Sequence, residues 1–555
     1  MNAFLKPDRR KFLSTAAVGL AAPCLLRIGS AAAAEPVTVE IENGKLRGLR
    51  ADGAISFKGV PYAANTGGAN RFLAPQPVAN WTGVRDAFEF GDRCVQQVES
   101  MSQVPVFTWY GQNAPLSENC CVLNVYAPEL SASARRPVMF YMHGGGFSGG
   151  GGAGAGVDGS NLAKGGDVVV VTINHRLNVF GYSNLGFLDA AFADAGNAGM
   201  LDIVAALTWV RKNIRAFGGD PGNVTIFGQS GGGSKVTTLM TMPAARGLFH
   251  RAINMSGVSA LTLKPAATAE PLTHALLKEL GIDKANVRKI QEVPAERLLA
   301  AHRSAVTATK GDDSRPLIDG RHILHAPLSP EGLALHGSVP LMIGTTDTEA
   351  TLFFRSDMRN FKVTDQQVRA RIKAQYDLDD GKADAVMAAY RKEVSGRTAA
   401  DILAAFATDV LFRGRMLQAA EARVTARVAP TYLYNFNWKM PVEGGFWRSP
   451  HAMDIPFAFG NIDKARMMTG PGPAPEEVSR NMMAAFVAFA RSGNPNNPRM
   501  PDWKPYDTAA RATMVIDEKC QLVNDFRGAD RIGSAGLLHQ DSYQIQRGPL
   551  FRYSE

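Results

Sequence analysis

Short runs of apolar and β-branched residues recur along the chain, and between them apolar positions fall at helical spacing. Val37–Ile41 and Lys45–Arg50 alternate apolar and polar side chains on either side of Asn43-Gly44, a pair suited to a tight hairpin turn. Val122–Tyr126, Val138–Met142, Val168–Ile173, Val224–Phe227, Ala252–Met255 and Val339–Ile343 are instead almost continuously apolar, the pattern of strands covered on both faces. Over Leu201–Ala216, Ile203, Leu207, Val210 and Ile214 repeat every three or four residues and predict a helix. Residues 265–335 and 355–430 read as Ala-rich helices. Strand pattern returns at Thr431–Phe436 and Thr513–Ile516, on either side of a helix over residues 475–492. Strands alternating with helices predict an α/β fold: a mostly parallel central sheet, helices on both faces, and large helical excursions walling a cleft. With no internal repeat and no low-complexity linker, residues 35–555 read as one large domain.

The first 34 residues follow another rule. Asp8-Arg9-Arg10-Lys11-Phe12-Leu13 resembles the twin-arginine export signal of bacteria; a modest apolar run to Leu26 and an Ala-rich stretch ending at Ala34 follow. The run is too short to span a bilayer, so the expectation is a leader removed near Glu35 and a periplasmic or secreted mature protein with no stable membrane span. The composition, 45% hydrophobic and 20% charged, is that of an ordinary globular protein. Of the formal charge of +9 the first 34 residues carry +4, and no Lys/Arg block in the remainder suggests nucleic acid as a partner. Of five cysteines, Cys24 falls in the leader; Cys94, Cys120, Cys121 and Cys520 form no C-x-x-C pair, so neither a metal nor a dithiol redox centre is implied.

Chemistry enters at Gly228-Gln229-Ser230-Gly231-Gly232. The pattern G-x-S-x-G describes a strand-to-helix turn that lifts a serine hydroxyl clear of a sheet. It occurs twice, the second time at Gly146-Phe147-Ser148-Gly149-Gly150. Ser230 follows the strand pattern Asn223–Phe227 and precedes a plausible helix, Gly233–Met242, whereas Ser148 runs into further glycines that cannot start one. Ser230 is therefore the candidate nucleophile. The His143-Gly144-Gly145-Gly146-Phe147 segment has a different use: bare glycine N–H groups of Gly145 and Gly146, with that of Gly231, can hold an oxyanion. The same glycines match a dinucleotide fingerprint, but no helix follows; a phosphate loop fails too, for want of an adjacent Gly-Lys. A serine needs a histidine base and the base an orienting acid. Spacing leaves His250, His274, His302, His322, His325, His336, His451 and His539 all open.

Several separate motifs resemble the type-B carboxylesterase family, which includes the cholinesterases: His143–Phe147, Asn174-His175-Arg176-Leu177, Gly196–Gly199, Phe217–Pro221, Gly228–Gly232, and Asn494-Pro495 with Trp503. The resemblance implies an α/β-hydrolase fold with a substrate gorge and hydrolysis of carboxylic esters. By it, the family's acid falls on Glu349 in Gly344–Ala350, with Asp347 a rival, and its histidine on His451 in His451–Phe457. A Ser230–His451–Glu349 triad with an acyl-enzyme intermediate follows, needing no metal or organic cofactor. An acyltransferase with the same triad and a non-catalytic binding protein are the alternatives. The resemblance further implies a Cys94–Cys120 disulfide, Cys121 lying one residue off. It places Phe107, Trp109 and Tyr110 near a gorge mouth, or else as a packing plug, an ambiguity Trp447 shares. The chain departs from the family at Gly231 (usually alanine), Gln229 (usually glutamate) and Ala350 (usually glycine).

Overall fold

The computed structural model describes residues 34–97, 101–112, 114–310 and 315–552, so the expected export signal lies outside the described residues but for Ala34. The principal strands are β1 (Glu35–Ile41), β2 (Gly44–Ala51), β3 (Ala54–Pro61), β4 (Val122–Ala127), β5 (Arg136–Met142), β6 (Val169–Ile173), β7 (Gly219–Gln229), β8 (Arg251–Met255), β9 (Leu341–Thr346), β10 (Thr431–Phe436), β11 (Thr513–Ile516) and β12 (Gln521–Val523). They form one sheet in the order β1-β2-β3-β4-β6-β5-β7-β8-β9-β10-β11-β12. Its middle, from β6 to β11, is parallel throughout. Its first margin is antiparallel, as is the closing β11–β12 pair.

The parallel middle follows from the apolar runs. Every residue of Val169–Ile173 is buried, as is every residue of Leu341–Thr346, because helices cover both faces. Each buried Val or Ile contributes about 1.5–3 kcal/mol through water release. The margin follows from alternation: β1 and β2 pair across Asn43-Gly44 with Ile41 opposite Gly44. Strand β3 escapes the sequence pattern because its register against β4 shifts between Phe57 and Val60, breaking the alternation at Lys58-Gly59. Strand β9 begins at Leu341, two residues later than its apolar run.

The predicted helix forms over Ala198–Asn213 and tightens into a 3-10 turn through Phe217. By length and composition the helical run Ala190–Phe217 could cross a membrane, but 61% of its apolar window is buried inside the fold. Its Asp202 accepts from Nη2 and Nε of the buried Arg176 (2.6 and 2.9 Å), pinning the loop after β6 to the helix. Asn174 in the same loop accepts from the Gly152 N–H at 2.7 Å. Several family-like motifs thus build the scaffold around the strand ends. The strand order reverses about β5, since the chain leaves it for β6 on one side and returns to β7 on the other. In open α/β sheets ligands bind at such a switch point, outside the carboxyl ends of the strands.

Candidate active site

At the carboxyl end of β7 the chain turns abruptly into the helix Gly231–Leu239, and Ser230 is the turn. Its backbone adopts φ 57° and ψ −122°, outside the region a serine prefers. The neighbours hold it there: the Ser230 N–H donates to the Met255 carbonyl at 2.7 Å. A side chain at Gly232 would collide with the Met142 carbonyl at the end of β5, so only glycine allows helix and strand to approach this closely.

The end of β5 continues into His143–Phe147. Gly145 and Gly146 both take left-handed φ values, 85° and 64°. The carbonyls of this loop are tied back into the protein: Gly144 O accepts from His143 Nδ1 at 2.8 Å, and Gly145 O from the Ser148 and Gly149 N–H groups at 3.2 and 3.1 Å. The N–H groups of Gly145 and Gly146 have no protein acceptor among the described residues, nor does that of Gly231, the first residue of its helix.

From β9, a loop carries Glu349, and from the segment after β10 another carries His451; both are buried. Glu349 Oε2 accepts from His451 Nδ1 in a short hydrogen bond. Its second oxygen accepts from the Ser256 hydroxyl at 2.5 Å and the Thr346 N–H at 2.8 Å, so the carboxylate is fully satisfied without a cation. The His451 N–H also meets the Glu349 carbonyl at 3.3 Å. Phe412 and Phe353 pack on the imidazole with ring centroids 4.8 and 5.4 Å away. Asp347, the rival acid, points elsewhere and pairs with Arg527 at 2.5 Å.

Two cavities meet at Ser230. One, of about 340 Å³, is lined by Tyr110, Gly145, Gly146, Leu352, Phe353 and His451. The other, of about 250 Å³, is lined by Gly146, Gly231, Val258, Arg315, Phe412 and Gln546. Ser230 and Phe353 border both. Gln229 is buried beside them, its Nε2 lying 3.3 Å from His451 Nε2, so a neutral amide stands where the family usually has a carboxylate.

The structure therefore brings Ser230, Glu349, His451, Gly145, Gly146 and Gly231 together. It decides the aromatic ambiguity residue by residue. Phe107 and Trp109 are buried, the first edge-on to Trp447 at 5.7 Å, and so plug the loop, whereas Tyr110 reaches the cavity. Cys94 and Cys120 are buried free thiols here, and the expected bridge is not formed; the Cys94 sulfur accepts from the Leu177 N–H at 3.3 Å. Ser256 was not legible as a site residue, although a Ser-Gly pair directly after a strand was a usable signal. Phe412 and Gln546 carried none, because each reaches the site from a helix remote in sequence from the triad, and Phe353, four residues after Glu349, carried none either.

Residues 35–532 match the model of the Carboxylesterase family. The chain is 35% identical over 498 residues to the para-nitrobenzyl esterase of Bacillus subtilis (strain 168), covering 88% of this chain and 96% of that one. It is 32% identical to the phenmedipham hydrolase of Pseudarthrobacter oxydans, with 88% and 97% covered. The crystal structure of a Geobacillus stearothermophilus carboxylesterase superposes with a TM-score of 0.76 at 35% identity, over 89% of this chain and 99% of that one. A serine turn at the switch point of an α/β-hydrolase sheet and similarity along nearly the whole chain have one meaning: the chain belongs to the carboxylesterase family and is a carboxylic ester hydrolase.

Proposed function

We propose that the protein cleaves neutral carboxylic esters through an acyl-enzyme formed on Ser230. His451 takes the Ser230 proton as the hydroxyl oxygen attacks the ester carbonyl, then gives it to the departing alcohol. Water, deprotonated by the same imidazole, releases the acid. Glu349 holds the Nδ1–H tautomer and stabilises the imidazolium that forms during each step. The N–H groups of Gly145, Gly146 and Gly231 receive the negative charge that develops on the carbonyl oxygen, each worth about 100- to 1000-fold in rate. The Glu349–His451 hydrogen bond carries this reading, because His451 lines the same cavity as a serine on a strained turn, bordered by three N–H groups without a protein acceptor among the described residues. The two cavities at Ser230 suit the acyl and alcohol halves of one substrate, and their Phe353, Phe412, Leu352 and Val258 walls favour apolar groups. A fluorophosphonate that traps activated serines should label the Ser230 peptide and spare the Ser148 peptide; an adduct on Ser148 refutes the assignment.

The twin-arginine pattern supports export, and burial of Cys94 and Cys120 beside Cys121 supports a bridge that closes on oxidation. Non-reducing peptide mapping of periplasmic protein tests both, with an N-terminus near Glu35 and a linked Cys94–Cys120 peptide expected. An intact Met1, or thiols only, refutes the respective half.

A further inference from the structure

One buried charge is not used by this mechanism. Lys235, five residues beyond Ser230 on the Gly231–Leu239 helix, is completely buried, and no carboxylate pairs with it among the described residues. An ammonium in such a place is costly unless its hydrogen bonds are made. Its Nζ donates to the carbonyl of Gly146 at 2.7 Å and to that of His143 at 3.2 Å, and lies 5.0 Å over the Phe147 ring. Both hydrogen bonds and the ring contact are with the His143–Phe147 loop. The peptide planes on both sides of Gly146 are thus clamped, one at Gly145 O by the Ser148 and Gly149 N–H groups and the other at Gly146 O by Lys235. That fixes the direction of the Gly146 N–H.

Gly231 supplies a second, independent observation. A Cβ there would overlap the Gly146 carbonyl, so the loop rests on the residue that offers the third N–H. The glycine leaves room for the carbonyl, and Lys235 supplies its donor. Resting on the oxyanion reading of Gly145, Gly146 and Gly231, we propose that Lys235 is a positioning residue. Its ammonium holds the His143–Phe147 loop against the helix so that the backbone donors converge on the oxyanion.

The surroundings make the protonation state matter. Burial pushes the Lys235 ammonium down to about 7. The titratable groups facing it are His143 and His175, stacked 4.9 Å apart and kept neutral by burial and by Lys235 itself. Behind them stand Arg93 and the Arg176–Asp202 pair. Deprotonation leaves weaker, uncharged donors on the two carbonyls.

Lys235→Met tests this, with competent sites counted by the p-nitrophenol burst so that misfolded protein is excluded. Expected is a fall in kcat per titrated site of about tenfold to a hundredfold with KM within about twofold. The affinity of a trifluoromethyl ketone, whose hemiketal places an oxyanion in the same pocket, should fall by the same factor. An unchanged kcat, or a change in KM alone, overturns the proposal. If Lys235→Met yields no folded protein, the wild-type enzyme decides. The ¹³Cε resonance of Lys235 should titrate at higher pH in the ketone adduct than in free enzyme, by about tenfold in acid constant, because linkage is reciprocal. An unmoved midpoint overturns the proposal. Should Ser230→Ala retain turnover, the reading of the site fails instead.

Discussion

Ser148 and Ser230 sit in the same five-letter pattern within one cavity system, yet their surroundings differ at every level. At Ser230 the serine itself takes the left-handed backbone, between a strand and a helix that fix both ends. At Ser148 the left-handed positions belong to the flanking glycines Gly145, Gly146 and Gly150, and the serine N–H is spent inside the loop on Gly145 O. One segment presents a side chain; the other presents backbone N–H groups. Glycine serves both, as a spacer around a reactive hydroxyl in the first and as the donor itself in the second. A short pattern therefore reports that the chain turns sharply, while the elements on either side decide what the turn displays.

Paired substitutions test this contrast. Ser230→Ala should lower kcat/KM by about 10⁴-fold or more, whereas Ser148→Ala should stay within about threefold. Both proteins should melt within a few degrees of wild type. Comparable losses in the two variants would erase the distinction. The acids give the next comparison. Glu349→Gln leaves His451 in the wrong tautomer and should cost about 10³- to 10⁴-fold in kcat. Asp347→Asn weakens a partly buried pair with Arg527, so it should cost about 1–3 kcal/mol of stability, read by urea denaturation, with little loss of kcat. A reversal of the two effects would move the orienting role to Asp347.

Much of this was legible in the chain. The strands at the sheet centre, such as Val169–Ile173, announce themselves because burial on both faces demands unbroken apolar runs. Ser230 was legible because its context is local. His451 was not, since spacing could not distinguish it among eight histidines and only the motif His451–Phe457 selected it. Phe412, which packs on His451, lies in a π-helical turn over Asp409–Arg413 that no local pattern signals. The role of Lys235 was not legible, because its burial and its partners depend on a loop almost ninety residues earlier.

The glycine loop after β5 has a consequence for how this enzyme can vary. Its donors are main-chain groups, so no exchange of one side chain for another deletes them, and only proline removes the hydrogen outright. Mutation can displace these donors but seldom abolish them. Inherited change in acyl preference is thus free to accumulate in Leu352, Phe353, Val258 and Gln546, along the cavity walls, without passing through an inert ancestor.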